Sequence, residues 1–129
     1  MNINPTSGRP LYEQLMFGIK QDILLGILQP GDKLPSVREM AQQQLVNPNT
    51  VAKAYKALEG QGVIDTVLGR GTFVAEDSSD FGPDRQQMNQ FKRQLNDLLT
   101  EGMYIGLSRQ EIADLMNEWY GGTHEANRK

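Results

Sequence analysis

With 129 residues the chain has room for one small domain and an appendage, and its lack of cysteine excludes a disulfide framework, a thiolate nucleophile and a cysteine metal site. No apolar run approaches the roughly 18 residues that a membrane span needs, and no signal peptide opens the sequence, so a cytoplasmic protein is expected. The net charge of −3 divides unevenly: residues 1–75 carry seven Lys/Arg against six Asp/Glu, and residues 76–129 carry six against ten. The acidic excess therefore lies outside the first part of the chain, which is free to meet a polyanion.

Met1–Gly8 is short, polar and contains both Pro and Gly, which predicts a flexible arm. Arg9-Pro10 then opens a helix with Leu11, Leu15, Ile19 and Ile23 on one face, Tyr12, Leu24 and Ile27 alongside, and Gly26 at its end. Leu28–Asp32 is a turn punctuated by Pro30-Gly31. At Ser36 a second helix starts: its hydroxyl can accept from a backbone N–H one turn in, and Glu39 can reach back, which makes a capping box. A third starts at Asn47, with Pro48 at the position where a missing N–H costs nothing and with Val46 and Val51 as a hydrophobic staple. Two helices separated by so few residues must cross steeply, which is the helix-turn-helix arrangement whose second helix can enter a DNA major groove.

The faces of that second helix sort cleanly. Val51, Ala54, Tyr55 and Leu58 recur at i, i+3, i+4 and i+7 and are expected to be buried. The other side carries Asn49, Thr50, Lys53 and Lys56. Amides and hydroxyls can read base edges, and lysines meet phosphates, although any solvated helix can show the same residue types. After Gly62 the pattern becomes β-branched either side of Gly69-Arg70-Gly71, which predicts a hairpin from Val63 to Val74 with Arg70 at the tip, suited to a minor groove or a phosphate.

Glu76–Asp84 reads as an acidic linker containing serine, Gly and Pro. Beyond it, Met88, Phe91, Leu95, Leu98 and Leu99 form an apolar stripe that ends near Gly102. Ser108 and Glu111 make another capping box, with Leu107 and Ile112 as its staple, and Ile112, Leu115, Met116 and Trp119 continue as a stripe. Two helices this short bury too little to stand alone. A second copy of the same hairpin is the economical partner, and packing back onto the first domain is the alternative. The interface expected in the dimer is Phe91, Leu95, Leu98, Ile112, Leu115, Met116 and Trp119, with Trp119 as anchor.

PLYEQL at 10–15, PGDKLPSVREMA at 30–41, NPNTVAKAYKALEGQG at 47–62 and GRGTFV at 69–74 together resemble the GntR family of bacterial transcription regulators, most closely its YtrA-like branch with a short helical tail. The resemblance implies a fold that is mainly α with a small β-wing: a winged helix-turn-helix over residues 1–75, a linker at 76–84 and a two-helix dimerisation region at 85–129. It also implies a repressor that binds double-stranded operator DNA as a homodimer, and a backbone contact for Arg38 with Ser36 nearby. The residues expected at DNA are Ser36, Arg38, Asn47, Asn49, Thr50, Lys53, Tyr55, Lys56, Arg70 and Gly71. One departure from the family's usual pattern matters. Gln44-Leu45 replaces the Leu-Gly that precedes the valine of the turn, and a leucine is strained where a glycine would permit a left-handed residue.

Chemistry of other kinds is missing from the sequence. His124 is the sole histidine, no phosphate-cradling loop or nucleophile motif occurs, and Asp97, Glu101, Asp114 and Glu118 sit at helical spacing on polar faces. No catalytic residue, metal or cofactor is expected. About fifty residues after the wing cannot enclose a ligand pocket of roughly 300 Å3 within one chain, so a small-molecule effector is possible but not indicated and would have to act at the dimer interface or on the linker. An adaptor that uses a winged helix for protein contacts would want apolar anchors on the face that carries Asn49, Thr50 and Lys53.

Overall fold

The computed structural model describes residues 1–76 and 83–124, and the chain divides into two compact units, Met1–Glu76 and Asp77–Lys129. Most of the expected linker lies outside the described residues.

In the first unit the elements are α1 (Leu11–Leu24), α2 (Val37–Gln44), α3 (Pro48–Gly60), β1 (Ile64–Val67) and β2 (Gly71–Val74). The core draws on all of them: Leu15 and Ile19 from α1, Met40 and Ala41 from α2, Val51, Ala54, Tyr55 and Leu58 from α3, Ile64 and Val74 from the strands, and Leu34 from the segment before α2. The predicted buried stripe of α3 is therefore buried throughout. On α1 only Leu15 and Ile19 are fully buried; Leu24, its last residue, is exposed, and so is Ile27, which lies past the helix end that the chain leaves through Gly26 (φ 78°).

Local signals set the helix starts. Glu39 N donates to Ser36 Oγ at 3.1 Å and Ser36 N donates to Glu39 Oε1 at 2.9 Å, completing the predicted capping box. The Ser36 N–H donated to the carboxylate, and secondarily the Ser36 hydroxyl beside it, hold the Glu39 carboxyl below the ordinary carboxylate range. Asn49 N donates to Asn47 Oδ1 at 2.8 Å, so Asn47 caps α3 with Pro48 following it.

Between these helices Leu45 adopts φ 57°, ψ 45°, the one non-glycine residue with positive φ in the described chain. Its N–H and that of Val46 both turn back to the Ala41 carbonyl, the latter at 3.0 Å. This closes α2 with a left-handed cap of the kind usually given to glycine. The leucine side chain is 90% exposed, so burial does not offset the strain, which costs a non-glycine residue about 1–2 kcal/mol. The two hydrogen bonds and the seating of Val46 against the core hold the turn in place.

The ribbon pairs Ile64 with Val74, Asp65 with Phe73, Thr66 with Thr72 and Val67 with Gly71. Its tip is Leu68-Gly69-Arg70, one residue earlier than Gly69-Arg70-Gly71, and Arg70 N closes the turn on Val67 O at 2.9 Å. A third chain segment borders β2. Val74 N donates to Asp32 O at 2.8 Å, Leu34 N donates to Thr72 O at 2.8 Å, and Lys33 bridges Phe73. The following carbonyl, Pro35 O, accepts from the Tyr55 hydroxyl at 2.7 Å, which ties α3 to the start of α2.

The arm expected to be flexible makes specific contacts with α1. Gln14 accepts from Asn4 N at 2.7 Å and donates to Asn4 O, Ser7 Oγ and Arg9 O, while Ile3 packs on the core. One amide on α1 thus fastens residues that composition alone assigns to a loose start.

The second unit is a hairpin of α4 (Arg85–Tyr104) and α5 (Arg109–Trp119), followed by a π turn, Tyr120–His124. Asp84 and Gln87 cap α4 with a capping box that the linker assignment overlooked, and Ser108 and Glu111 cap α5 as predicted. Gly102 does not end the first helix. It sits two residues inside it, where a Cβ would lie 3.4 Å from Ile112 Cδ1 and 3.7 Å from Leu107 Cδ1, so α5 approaches α4 closely there. No described residue of this unit is buried; Leu99, Gly102, Leu107, Ile112 and Ala113 are half-buried, and Phe91, Leu95, Leu98, Leu115, Met116 and Trp119 are exposed.

Two stability measurements test these local accounts. Replacing Leu45 with Gly relieves the left-handed strain while adding freedom to the unfolded chain, so the net gain is about 0.5–1 kcal/mol in urea unfolding. A loss of about 0.4–1 kcal/mol, the full entropic cost of a glycine, would show that the turn carries no strain. Burial, and secondarily the Glu39 carboxylate, push the Tyr55 phenol from 10.0 up to about 12. Because the folded value is raised, its contribution is intact below pH 10 and is lost as pH climbs through about 12. Tyr55→Phe should cost about 1 kcal/mol at pH 7 by orphaning the Pro35 carbonyl, and should shrink the alkaline loss of stability. Unaltered stability at pH 7 would rule out a structural role for that hydrogen bond.

Candidate nucleic-acid interface

α3 turns Val51, Ala54, Tyr55 and Leu58 inward, which leaves Asn49, Lys53 and Lys56 exposed and Thr50 half-buried on the other side. Capping fixes where this face begins. Asn47 Oδ1 is engaged by Asn49 N, so the Asn49 side chain emerges from a helical turn whose backbone is already satisfied.

The structure brings Asn49, Thr50 and Lys53 together with Leu11 and Tyr12 in an open groove of about 360 Å3. The Lys53 ammonium lies 4.1 Å from the centroid of the Tyr12 ring. Periodicity puts Leu11 and Tyr12 only on the inner side of α1; that the start of α1 abuts the start of α3 is a tertiary fact with no local signal. Lys56 lies one turn further along α3, Arg38 is exposed as the second residue of α2, and Arg70 is exposed at the wing tip. None of these four cations is ion-paired: among the described residues the one salt bridge is Arg9–Glu13 at 4.0 Å.

Four predicted site residues have mainly structural surroundings. Ser36 and Asn47 accept the backbone N–H groups that start α2 and α3. Gly71 has φ 123°, and a Cβ there would come 2.9 Å from Lys33 Cε, so the position serves close backbone passage beside a lysine that sequence reasoning did not single out. Tyr55 requires correction. With 6% exposure and its hydroxyl donated to Pro35, it belongs to the core and not to the outward face.

No group of three or more potential metal ligands occurs among the described residues. Asp114 accepts from Gln110 at 2.7 Å on the polar side of α5, and the His124 side chain lies outside what the structure describes. No described helix is long and apolar enough to cross a membrane.

What the outward side of α3 offers is an amide, a hydroxyl and two lysines without ion-pair partners, and the same unit exposes Arg38 at the start of α2 and Arg70 at the wing tip. That inventory suits base edges flanked by phosphates. Comparison with known proteins agrees. Residues 11–74 match the family described as bacterial regulatory proteins, gntR family. The HTH-type transcriptional repressor YtrA of Bacillus subtilis is 42% identical over 118 residues, covering 92% of this chain and 90% of that protein. A transcriptional antiterminator from Listeria monocytogenes EGD-e superposes with a TM-score of 0.89 at 38% identity, over 96% of this chain and 92% of that one. AraR(DBD), solved in complex with operator ORX1, matches with a TM-score of 0.52 and 36% identity over 58% of this chain and 93% of its own. The chain therefore belongs to the GntR family of winged-helix, DNA-binding transcription regulators, with YtrA-like relatives that run its length.

Proposed function

We propose that the protein is a repressor that binds a palindromic operator as a homodimer in the cytoplasm and acts by occupancy rather than catalysis. The observation that carries this reading is the division of labour between the two units. One presents Asn49, Thr50, Lys53 and Lys56 opposite a fully buried stripe, and the other presents an apolar stripe with no buried residue of its own. Residues 1–75 are the DNA-binding domain, 76–84 the linker and 85–129 the dimerisation region. Asn49 and Thr50 read base edges; Arg38, Lys53, Lys56 and Arg70 meet phosphates; Ser36, Asn47 and Gly71 hold the backbone that presents them.

Dimerisation follows from information as well as burial. One recognition helix reads only a few base pairs, too few to select one site among roughly 10⁶ competitors. A symmetric pair doubles the contacts and requires half-sites about one helical turn apart. Leu95, Leu98, Leu115, Met116 and Trp119 then close against their equivalents, with Phe91 and Ile112 at the same seam. The repressor YtrA, similar over nearly its whole length, supports the direction of control.

Three measurements test this. If the four cations of both subunits each neutralise a phosphate, eight contacts at about 0.9 each give a log–log salt slope near −7, and Lys56→Ala weakens specific and random DNA alike. A nearly flat salt profile would refute DNA binding. Asn49→Ala should cost about 1–3 kcal/mol on the best site and little on random DNA. Equal losses on both would reassign Asn49 to the phosphates. Leu95→Asp should sediment as a monomer with a folded winged helix and no operator binding; a wild-type monomer at micromolar concentration with full affinity would refute the dimer.

A further inference from the structure

Lys53 is exposed, yet it is not splayed into solvent: its ammonium sits 4.1 Å from the centre of the Tyr12 ring, beside Asn49 and Thr50. The ring is half-buried, so its own position is set by packing against the core. We infer that Tyr12 is a positioning residue for Lys53: the first turn of α1 supplies an aromatic platform that holds the lysine of α3 in its DNA-contacting geometry before DNA arrives. The inference rests on the proposal that α3 faces DNA.

An exposed lysine is a flexible stem with large rotamer entropy, and a phosphate contact has to immobilise it. A ring face beneath the ammonium attracts it through the aromatic quadrupole, covers one side and leaves N–H donors on the other. Part of the ordering cost is then met in the free protein, so the phosphate contact retains more of its electrostatic gain. The effect requires an aromatic face and no hydroxyl. It also requires Lys53, so the two residues must be coupled. Neighbouring charges do not offer a competing explanation, since Lys53 has no carboxylate partner among the described residues.

The test is a double-mutant cycle on the full chain, using a DNA site selected by the wild-type protein and, separately, random DNA. Tyr12→Leu should weaken both by about three- to tenfold in the Lys53 background and by less than twofold in the Lys53→Ala background. Tyr12→Phe should bind as wild type. In the free protein, the Lys53 ε-methylene protons should be shifted upfield by the ring, and that shift should survive Tyr12→Phe and vanish in Tyr12→Leu. Equal losses in both backgrounds, or Tyr12→Phe as weak as Tyr12→Leu, would overturn the inference by making Tyr12 a separate contact through its packing or hydroxyl. Absence of the upfield shift in the wild type would overturn it whether or not Tyr12→Leu folds. A wild-type protein that bound no DNA would remove the underlying reading as well, which the salt profile reports independently.

Discussion

Everything in the first unit depends on one packing relation, the burial of the α3 stripe. α1, α2 and β1 all pack against α3, and Val51, Ala54 and Leu58 have essentially no exposure. Burying a side chain such as Val51 or Leu58 contributes about 1.5–3 kcal/mol relative to leaving it in water, so rotating the helix about its axis would forfeit several such terms. The inward face therefore dictates the outward one. Asn49, Lys53 and Lys56 are exposed because Val51, Ala54, Tyr55 and Leu58 cannot be, and the caps at Ser36 and Asn47 set where along the chain that face starts.

Much of this was legible in the sequence because the signals are local. A serine followed three residues later by glutamate, an asparagine before proline, and an i, i+3, i+4, i+7 stripe each specify structure within one or two turns, and each appears in the fold where the residues put it. The failures involve residues whose partners are distant along the chain. Gln14 ordering the arm, Asp32–Leu34 bordering β2, and Tyr12 meeting Lys53 leave no periodic trace. Tyr55 shows the same limit from the other side: its helical phase placed it inward, and only the tertiary partner Pro35 makes clear that its hydroxyl is not offered outward. Leu45 is a mixed case. Its departure from the family's glycine marked the turn as special, but the sequence did not show that the chain keeps the left-handed turn (φ 57°) and tolerates the strain.

The hairpin of α4 and α5 obeys a different constraint. Its helices are individually well specified, with a capping box at each start and a close approach at Gly102. Two helices in contact along one side cannot enclose a core, however, and the apolar stripe predicted from periodicity stays exposed within the described chain. Sequence pattern could identify the stripe, but not its partner, because amphipathicity records that a face needs covering and not what covers it. In the proposed dimer the same surface of a second copy meets that need and sets the distance between two recognition helices.

Selection of DNA by the purified protein from a random pool interrogates the α3 face and the symmetry of the assembly in one result. A symmetric pair of α3 faces should enrich an inverted repeat whose half-site centres lie about one helical turn, 34–36 Å, apart. A pool that converges on no sequence, or on a single undivided half-site, would contradict it.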